Sequence, residues 1–529
     1  MTEHSQRSTG RNATLVAAGI LASRIVGLVR QRVFAHYFGV TEVADAFNQA
    51  FRIPNLVQNL FGEGVLSASF IPVYAALRSR GEDDERRRVA HAIFALLAVA
   101  TSTVVLLGVL FAPWLTQAIA PGFHGAKLEL TIRLVRILFP GAGLFVLSAW
   151  ALGVLNSHGR FFLSYASAVF WNVAMIATML AMGGRGTMAD LAVWLAWGSV
   201  AGALLQLLVQ LPGVLSLLGG LRFELTTKST AVRTVISNFG PAFVGRGVSQ
   251  ISAFVDAMIA SLLIDGAVAT LNYAQLLYML PVSLFGMSIS AAELPAMAGD
   301  RAANADGSAA LRVRIETGLA RLAFFVVPSA VAFLTLGDVL ASLLYRTGRF
   351  GAAEAQWVWW TLGGSAVGLL AATSGRLLSS AFYAMHDTRT PLRWAVVRVA
   401  LTIALGLLFA LWLPKALHLD PRWGVAGLTS SAGIAAWVEF ALLRRSLHQR
   451  IGGFSLAMAR VPALWICGLA AAALAWGARL TISALPPFLM AVIVIGVYGV
   501  GYLLGTHLLG FQMAAALWRR LPGQGRTTP

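Results

Sequence analysis

Charged residues are scarce in this chain of 529 residues. They make up 12% of the sequence, whereas soluble domains carry about 25%. Cysteine is almost absent, because Cys467 stands alone and can form no internal disulfide. Hydrophobic residues account for 58% of the chain, and the mean hydropathy is +0.74. This composition excludes a soluble multidomain protein and indicates a membrane protein.

Lysine is also rare, and the few lysines exclude a nucleotide-binding loop. Lys127, Lys228 and Lys415 are the only ones, and none follows the glycine that this loop places before its lysine. The sequence has no Cys/His cluster at metal spacing, and every loop is too short for a soluble catalytic domain. We therefore expect a protein that is not an enzyme, holds no cofactor and hydrolyses no ATP.

Apolar stretches near the length of a membrane helix, about 20 residues, recur fourteen times. They cover residues 12–38, 44–77, 91–111, 129–154, 162–182, 189–217, 235–263, 270–297, 315–337, 355–383, 394–413, 423–443, 457–478 and 486–509. The predicted fold is therefore an all-α polytopic membrane protein with about 14 transmembrane helices.

The distribution of basic residues predicts the orientation of these spans. The chain has 40 Lys+Arg against 22 Asp+Glu, a net charge of +18. With the N-terminus inside, the inner segments hold 22 Lys/Arg and the outer loops hold 7. The positive-inside rule explains this bias without any nucleic-acid partner and places both termini in the cytoplasm. No cleavable signal peptide is expected.

Four arginines and one aspartate lie inside the first two predicted spans: Arg24, Arg30, Arg32, Asp45 and Arg52. Each costs at least ~2.5–3.5 kcal/mol at bilayer depth, so each should face a wet cavity or a partner. Asp45 is at a depth to pair with Arg30 or Arg32. Arg24 and Arg52 have no obvious acidic neighbour at their depth. Because the planar guanidinium fork suits phosphate, we expect these two to contact an anion; a buried structural pair is the alternative.

Glu63 in the second span and Arg246 and Asp256 in the seventh are further charged residues within apolar stretches. Glu63 stands between Gly62 and Gly64, a pattern that predicts a bent or broken helix beside a cavity or packed protein. Arg246 and Asp256 share the seventh span, ten residues apart, about 15 Å along the axis and too far for direct contact. Asp256 could coordinate a cation or pair with another helix.

The residues from Ser23 to Val73 (SRIVGLVRQRVFAHYFGVTEVADAFNQAFRIPNLVQNLFGEGVLSASFIPV) resemble the opening of the MurJ (MviN) family of lipid II flippases. This family belongs to the multidrug/oligosaccharidyl-lipid/polysaccharide exporter superfamily. The similarity continues in APGF (Ala120–Phe123), LNSHGRF (Leu155–Phe161), GPAFVGRGVSQIS (Gly240–Ser252), LPVSLFGMSISAAELPAM (Leu280–Met297) and AFYAMHDTRTP (Ala381–Pro391). It therefore spans the whole chain.

The resemblance implies two six-helix lobes around a central cationic cavity. They would comprise residues 1–217 and 218–453, with the last two spans, in residues 454–529, forming a groove for a lipid tail and a short basic tail following. The implied activity is movement of lipid II, an undecaprenyl-diphosphate-linked disaccharide-pentapeptide, from the inner to the outer leaflet. It would proceed by alternating access in the bacterial cytoplasmic (inner) membrane and serve peptidoglycan synthesis, with membrane lipids and cell-wall synthesis proteins as partners.

By resemblance, Arg24, Arg30, Asp45, Arg52 and Glu63 match charged positions of the family's first hairpin. These residues are expected to bind the substrate. Two readings compete with a lipid II flippase. One is an exporter of another polyprenyl-diphosphate glycan or of a drug, and the other is a non-transporting cell-wall scaffold with the same fold.

The sequence departs from the family in the eighth span, where a basic residue is usual and Gln275 stands instead, with Tyr278 one turn on. Arg246 in the seventh span could supply an inner-side phosphate contact, or it could extend to the cytoplasmic interface as an anchor. Asp256 matches the acid of members with a sodium site, but Thr402 and Gly406 offer no carboxylate in the eleventh span. Sodium at Asp256 or the membrane potential remain the candidate driving forces.

Overall fold

The computed structural model describes residues 3–303, 307–453, 460–482 and 484–518, which are almost entirely helical. For residues 3–18, 20, 63, 244–253, 300–303, 307–308 and 518 it describes the backbone only. The first ten helices are α1 Glu3–Phe38, α2 Glu42–Phe61, α3 Glu63–Ser69, α4 Ile71–Ser79, α5 Asp83–Leu110, α6 Ala112–Ile119, α7 Gly125–Ser157, α8 Phe161–Met182, α9 Met188–Leu218 and α10 Thr230–Ser261.

The following helices are α11 Ala267–Pro281, α12 Ser288–Ala303, α13 Gly307–Tyr345, α14 Ala352–Ala384, α15 Arg389–Leu407, α16 Leu413–Ala416, α17 Trp423–Ile451, α18 Val461–Thr481, α19 Pro487–Leu508 and α20 Gln512–Trp518. Two π-helical segments join neighbours in this series, Val282–Met287 after α11 and Leu408–Trp412 after α15. Pro281, which has no N–H to donate, immediately precedes the first of them.

The chain forms two compact units. The first comprises Met1–Val268 with Thr347–Arg349, and the second comprises Ala269–Arg346 with Phe350–Pro529. Helix α10 packs against α2 and α3 and so belongs to the first unit, although the resemblance assigned it to the second lobe. The functional lobes 1–217 and 218–453 stay a prediction.

Eleven helical stretches in the described part of the chain are long and apolar enough to cross a membrane. The predicted polytopic all-α fold is confirmed, but the count of fourteen is not. The three predicted spans outside this set coincide with α1, α10 and α14, which are also long helices. Helix α14 is rich in Gly, Ser and Thr, and such small residues let membrane helices approach closely.

Helix α14 lies at the centre of the helix packing in the second unit, because it contacts both α13 and α17 extensively. A Cβ added at Gly368 of α14 would overlap the Cα of Gly433 in α17, so the two backbones are in contact there. A Cβ at Gly363, on the same helix, would have no atom within 4 Å. Glycine is therefore required at one of these positions and not at the other.

The core of the first unit includes Phe70, Tyr74 and Trp150, all fully buried. Helix α2 ends at Phe61, and Gly62 adopts a non-helical conformation (φ −89°, ψ −147°) before α3 begins at Glu63. A Cβ at Gly62 would overlap the carbonyl oxygen of Gln58. The predicted break in the second span is therefore confirmed, and the glycine permits it.

A polar cluster lies where the loop after α7 meets α4 and α5. Arg86 donates to Nε2 of His158 at 2.7 Å and to the Tyr74 hydroxyl at 3.1 Å, and it pairs with Asp83 at 2.8 Å. Desolvation, together with the charges of Arg78 and Arg86, lowers the pKa of His158 to about 4. His158 is therefore neutral at physiological pH and accepts the Arg86 hydrogen bond.

Candidate functional site

Arg30 of α1 lies over the aromatic ring of Trp171 in α8. Its guanidinium carbon is 4.6 Å from the ring centroid, and one nitrogen donates to Sδ of Met175 at 3.8 Å. A cation over an aromatic face gains about 0.5–2 kcal/mol. Within the described residues, no carboxylate forms an ion pair with Arg30. Since a guanidinium has five N–H donors, most of them remain available to an anion.

Trp171 is itself held in place by three other helices. Its indole N–H donates to Oγ of Ser199 in α9 at 3.1 Å. Its ring stacks on Phe51 of α2 at a centroid distance of 5.8 Å and meets Phe145 of α7 edge-on at 5.5 Å. The indole therefore forms a fixed platform that orients the Arg30 side chain.

Arg52 of α2 has an acidic neighbour, Asp256 of α10. The Asp256 carboxylate acts electrostatically on the half-buried Arg52 guanidinium. The two helices approach because Phe61 packs against Phe239 and Phe243, with ring centroids 5.9 and 5.2 Å away. The sequence-based expectation that Arg52 lacks an acidic neighbour is therefore wrong. It follows that Asp256 interacts with another helix.

Asp45 has a partner that the sequence did not suggest. Its carboxylate lies 2.8 Å from Nζ of Lys127, which is also 2.8 Å from the carboxylate of Asp265. Asp45 also accepts the backbone N–H of Gly266 at 2.7 Å. We call Asp45, Lys127 and Asp265 the Lys127 clasp. The expected partner Arg30 lies instead on Trp171.

The Lys127 clasp ties three segments of the first unit together. Asp45 is in the first turn of α2, Lys127 in the first turn of α7, and Asp265 in the loop after α10. The Asp45 side chain is only 1% exposed and that of Lys127 10%, whereas that of Asp265 is 67% exposed. Asp45 is therefore a buried charge that depends on its partners.

The remaining predicted site residues differ in the exposure of their side chains, and two of these side chains are not described. Arg24 is exposed on α1, six residues before Arg30. Gln275 is half-buried on α11 in the second unit. The side chains of Glu63 and Arg246 lie outside the described residues. No group of three or more His, Cys, Asp and Glu that could hold a metal occurs among the residues described.

The geometry divides four cations of the first unit, Arg24, Arg30, Arg52 and Lys127, into two kinds. Lys127 and Arg52 have acidic partners. For Arg24 and Arg30 no ion pair occurs in the described part of the chain, and Arg30 is oriented by an aromatic ring. Two such guanidiniums on one helix can contact an anion, and bidentate pairs with phosphate are the strongest contacts of this type.

The comparison with known families decides the identity of this fold. A family model described as "Lipid II flippase MurJ" matches residues 34–496. The chain belongs to the MurJ family.

Curated MurJ proteins are similar over most of their length. The lipid II flippase MurJ of Burkholderia cenocepacia is 32% identical over 445 residues, covering 83% of this chain and 84% of that protein. The probable lipid II flippase MurJ of Bdellovibrio bacteriovorus is 32% identical over 467 residues, covering 86% and 85%. The resemblance inferred from the first hairpin is therefore confirmed, and it places the chain in a family of bacterial transporters.

Solved structures confirm the fold. A lipid II flippase MurJ in an inward closed conformation superposes with a TM-score of 0.76 at 22% identity, covering 94% of this chain and 98% of that one. An inward-facing multidrug resistance MATE transporter of the MOP superfamily gives a TM-score of 0.64 at 16% identity, covering 81% and 95%. The MurJ architecture thus extends over nearly the whole chain.

Two residues of this MurJ family member were missed by sequence reasoning. Lys127 lies in a predicted outer loop directly before a predicted span, and its being one of only three lysines is the signal that could have drawn attention to it. Trp171 carried no usable signal, because it is one of 15 tryptophans in an apolar chain. Only the packing of α8 against α1 reveals that it supports Arg30.

Proposed function

We propose that this chain moves lipid II from the inner to the outer leaflet of the bacterial cytoplasmic membrane by alternating access. Its curated relatives are named lipid II flippases. The observation that carries the proposal is Arg30, which is oriented by Trp171 and has no carboxylate partner among the described residues. A half-buried arginine with no counter-ion in the described part of the chain favours an anionic ligand, and the diphosphate of lipid II would supply one.

Arg24 and Arg30 would each contribute to diphosphate binding, from different faces of α1. They are six residues apart on α1, about 9 Å along the helix axis. Arg52 contributes less in this conformation because Asp256 offsets its charge. A conformational change that separates Asp256 from Arg52 would strengthen the cationic site. Phosphate affinity would then differ between conformations, as alternating access requires.

The driving force is part of the proposal. The sequence has no nucleotide loop, so the membrane potential would act on the cationic residues at about 2.3 kcal/mol per charge per 100 mV.

A sodium ion at Asp256 would compete with the Arg52 guanidinium for the same carboxylate. If sodium is coupled to transport, Asp256→Asn should remove the sodium dependence. Transport that never depended on sodium would reject this site.

Gln275 favours a second candidate function. It is half-buried on α11 at the position where the resemblance predicts a basic residue, and its neutral amide would bind diphosphate more weakly. A glycan carried on another polyprenyl diphosphate is therefore the alternative substrate. Competition between lipid II and such a lipid for binding to the purified protein distinguishes the two substrates.

The proposed topology keeps both termini in the cytoplasm, and cell-wall synthesis proteins remain the proposed partners.

The test is complementation of a strain depleted of its own lipid II flippase. Arg30→Met should abolish growth, because losing charge-assisted hydrogen bonds of about 1.5–3 kcal/mol lowers phosphate affinity about tenfold to a hundredfold. Arg30→Lys should rescue partly, since a point charge replaces a bidentate fork. Arg24→Ala should also fail to complement.

The matched control is Arg185→Gln, which removes an exposed arginine from the loop after α8. It should complement fully, and all variants should reach the parent's level in the membrane. Normal growth with Arg30→Met at equal expression would reject the anion site. Failure of the parent chain itself would reject lipid II as the substrate.

A further inference from the structure

A groove of about 570 Å³ lies between α6, α7 and α9 of the first unit. Pro113 of α6 and Trp197 of α9 form part of its walls. Its charged lining residues are Glu129, Arg133 and Arg136, all on α7. Their spacing of four and three residues places them on one face of the helix. Neither the Trp171 platform nor the Lys127 clasp includes any of them.

The three charged side chains are exposed. In the described part of the chain, none of them forms an ion pair within 4 Å, although Glu129 and Arg133 are one turn apart. Arg133 acts electrostatically on Asp190 of α9, but the Asp190 carboxylate accepts a hydrogen bond from the Thr187 hydroxyl at 2.7 Å. The groove therefore presents both signs of charge to a ligand.

The depth of these residues follows from the length of α7. Arg136 is 21 residues from Ser157 at the other end of the helix, about 31 Å along the axis. The hydrocarbon core of a bilayer is about 30 Å thick, so with Ser157 at one boundary Arg136 reaches the other. Trp194 and Trp197 are 49% and 52% exposed, and exposed tryptophans are typical of the membrane interface. The arginines thus lie at the level of lipid phosphates.

Glu129 lies farther from the hydrocarbon core than the arginines. It is four residues before Arg133 and nearer the beginning of α7, about 6 Å further along the axis. From the core outward, the groove therefore presents apolar surface, then two guanidiniums, then a carboxylate. A phospholipid with a terminal amine has the complementary order of acyl chains, phosphate and ammonium.

We propose that this groove binds an aminophospholipid of the phosphatidylethanolamine type in the outer leaflet. Arg133 and Arg136 hold the phosphate, and Glu129 accepts hydrogen bonds from the ammonium. The leaflet follows from the proposed topology, but the site does not depend on lipid II transport. A free phosphate leaves Glu129 without a partner and brings a second negative charge near it. A choline headgroup carries a cation with no N–H to donate.

The experiment is native mass spectrometry of the purified full-length chain titrated with lipids of identical acyl chains. Phosphatidylethanolamine should bind about tenfold more tightly than phosphatidylcholine, as expected for a charge-assisted hydrogen bond. Glu129→Gln should remove this preference while phospholipid binding persists. Arg133→Gln/Arg136→Gln should weaken binding of every phospholipid about tenfold. The control pair Arg185→Gln/Arg346→Gln removes two exposed charges from other loops and should change nothing.

Several results would overturn the site. Equal binding of the two lipids by the parent chain would show that the amine is not recognised. Unchanged binding by the arginine double variant would show that the arginines are interfacial anchors only. Displacement of the bound phospholipid by millimolar inorganic phosphate would show a free-anion site.

Glu129→Gln is isosteric and, if the variant is monodisperse on gel filtration, it tests headgroup recognition without a folding defect. Complementation measured in parallel separates failure of this proposal from failure of the proposed transport function.

Discussion

The Lys127 clasp offers a direct test of how burial sets the strength of an ion pair. One ammonium lies 2.8 Å from two carboxylates, one buried and one exposed. At an effective dielectric constant of about 20, charges at this distance attract by about 6 kcal/mol, and in water by about 1.5 kcal/mol. Desolvation offsets much of the larger value. Removing one partner of a buried pair nevertheless costs about 3–5 kcal/mol, because it leaves a buried charge unpaired.

Lys127→Met should therefore lower the free energy of unfolding by about 3–5 kcal/mol. Asp265→Asn should lower it by less than about 1 kcal/mol, since exposed pairs contribute little. The double variant Lys127→Met/Asp45→Asn should be more stable than the sum of its single variants, because no buried charge is left alone. The measurement is denaturant-induced unfolding of the purified variants in detergent. Equal destabilisation by Asp265→Asn and Lys127→Met, or additivity in the double variant, would show that Asp45 is not a buried charge that depends on Lys127.

Two further predictions concern packing and pH. Gly368→Ala should destabilise the second unit by about 1–3 kcal/mol through overpacking. Gly363→Ala should be neutral or stabilising by up to about 1 kcal/mol. Equal shifts of the thermal unfolding temperature for the two variants would contradict the close approach at Gly368. Because the pKa of His158 is lowered from 6.5 to about 4, its contribution to stability is fully present above pH 6.5 and is lost as the pH falls toward 4. His158→Gln should flatten the unfolding profile in this window, and an unchanged profile would show that His158 does not cause the pH dependence.

Sequence patterning predicted the helices of this protein well. Each of the fourteen apolar stretches has a helical counterpart in the structure, and the break beside Glu63 occurs at Gly62. Apolar length and glycine placement are local properties, so they can be read from one segment at a time. They indicate how deep a residue lies in the membrane. They do not indicate which helix lies beside it.

The partners of the charged residues depend on that missing information. Asp45 and Lys127 are 82 residues apart, and Arg30 and Met175 are 145 residues apart. Depth alone suggested Arg30 or Arg32 as a partner for Asp45, but it could not show that the packing of α7 on α2 brings Lys127 to this carboxylate. Likewise, Arg52 acquires Asp256 only because α10 packs against α2. The charged residues inside the apolar stretches could therefore be identified from the sequence, but their pairing could not, and their role in binding stays a prediction.

Transport by the purified chain tests the central claim most directly. The chain would be reconstituted into vesicles with labelled lipid II, and the appearance of label in the opposite leaflet would be followed without ATP. We expect transport by the parent chain, a lower rate when the membrane potential is collapsed, and near-background transport by Arg30→Met. No transport by the parent, or parental rates for Arg30→Met, would contradict the claim.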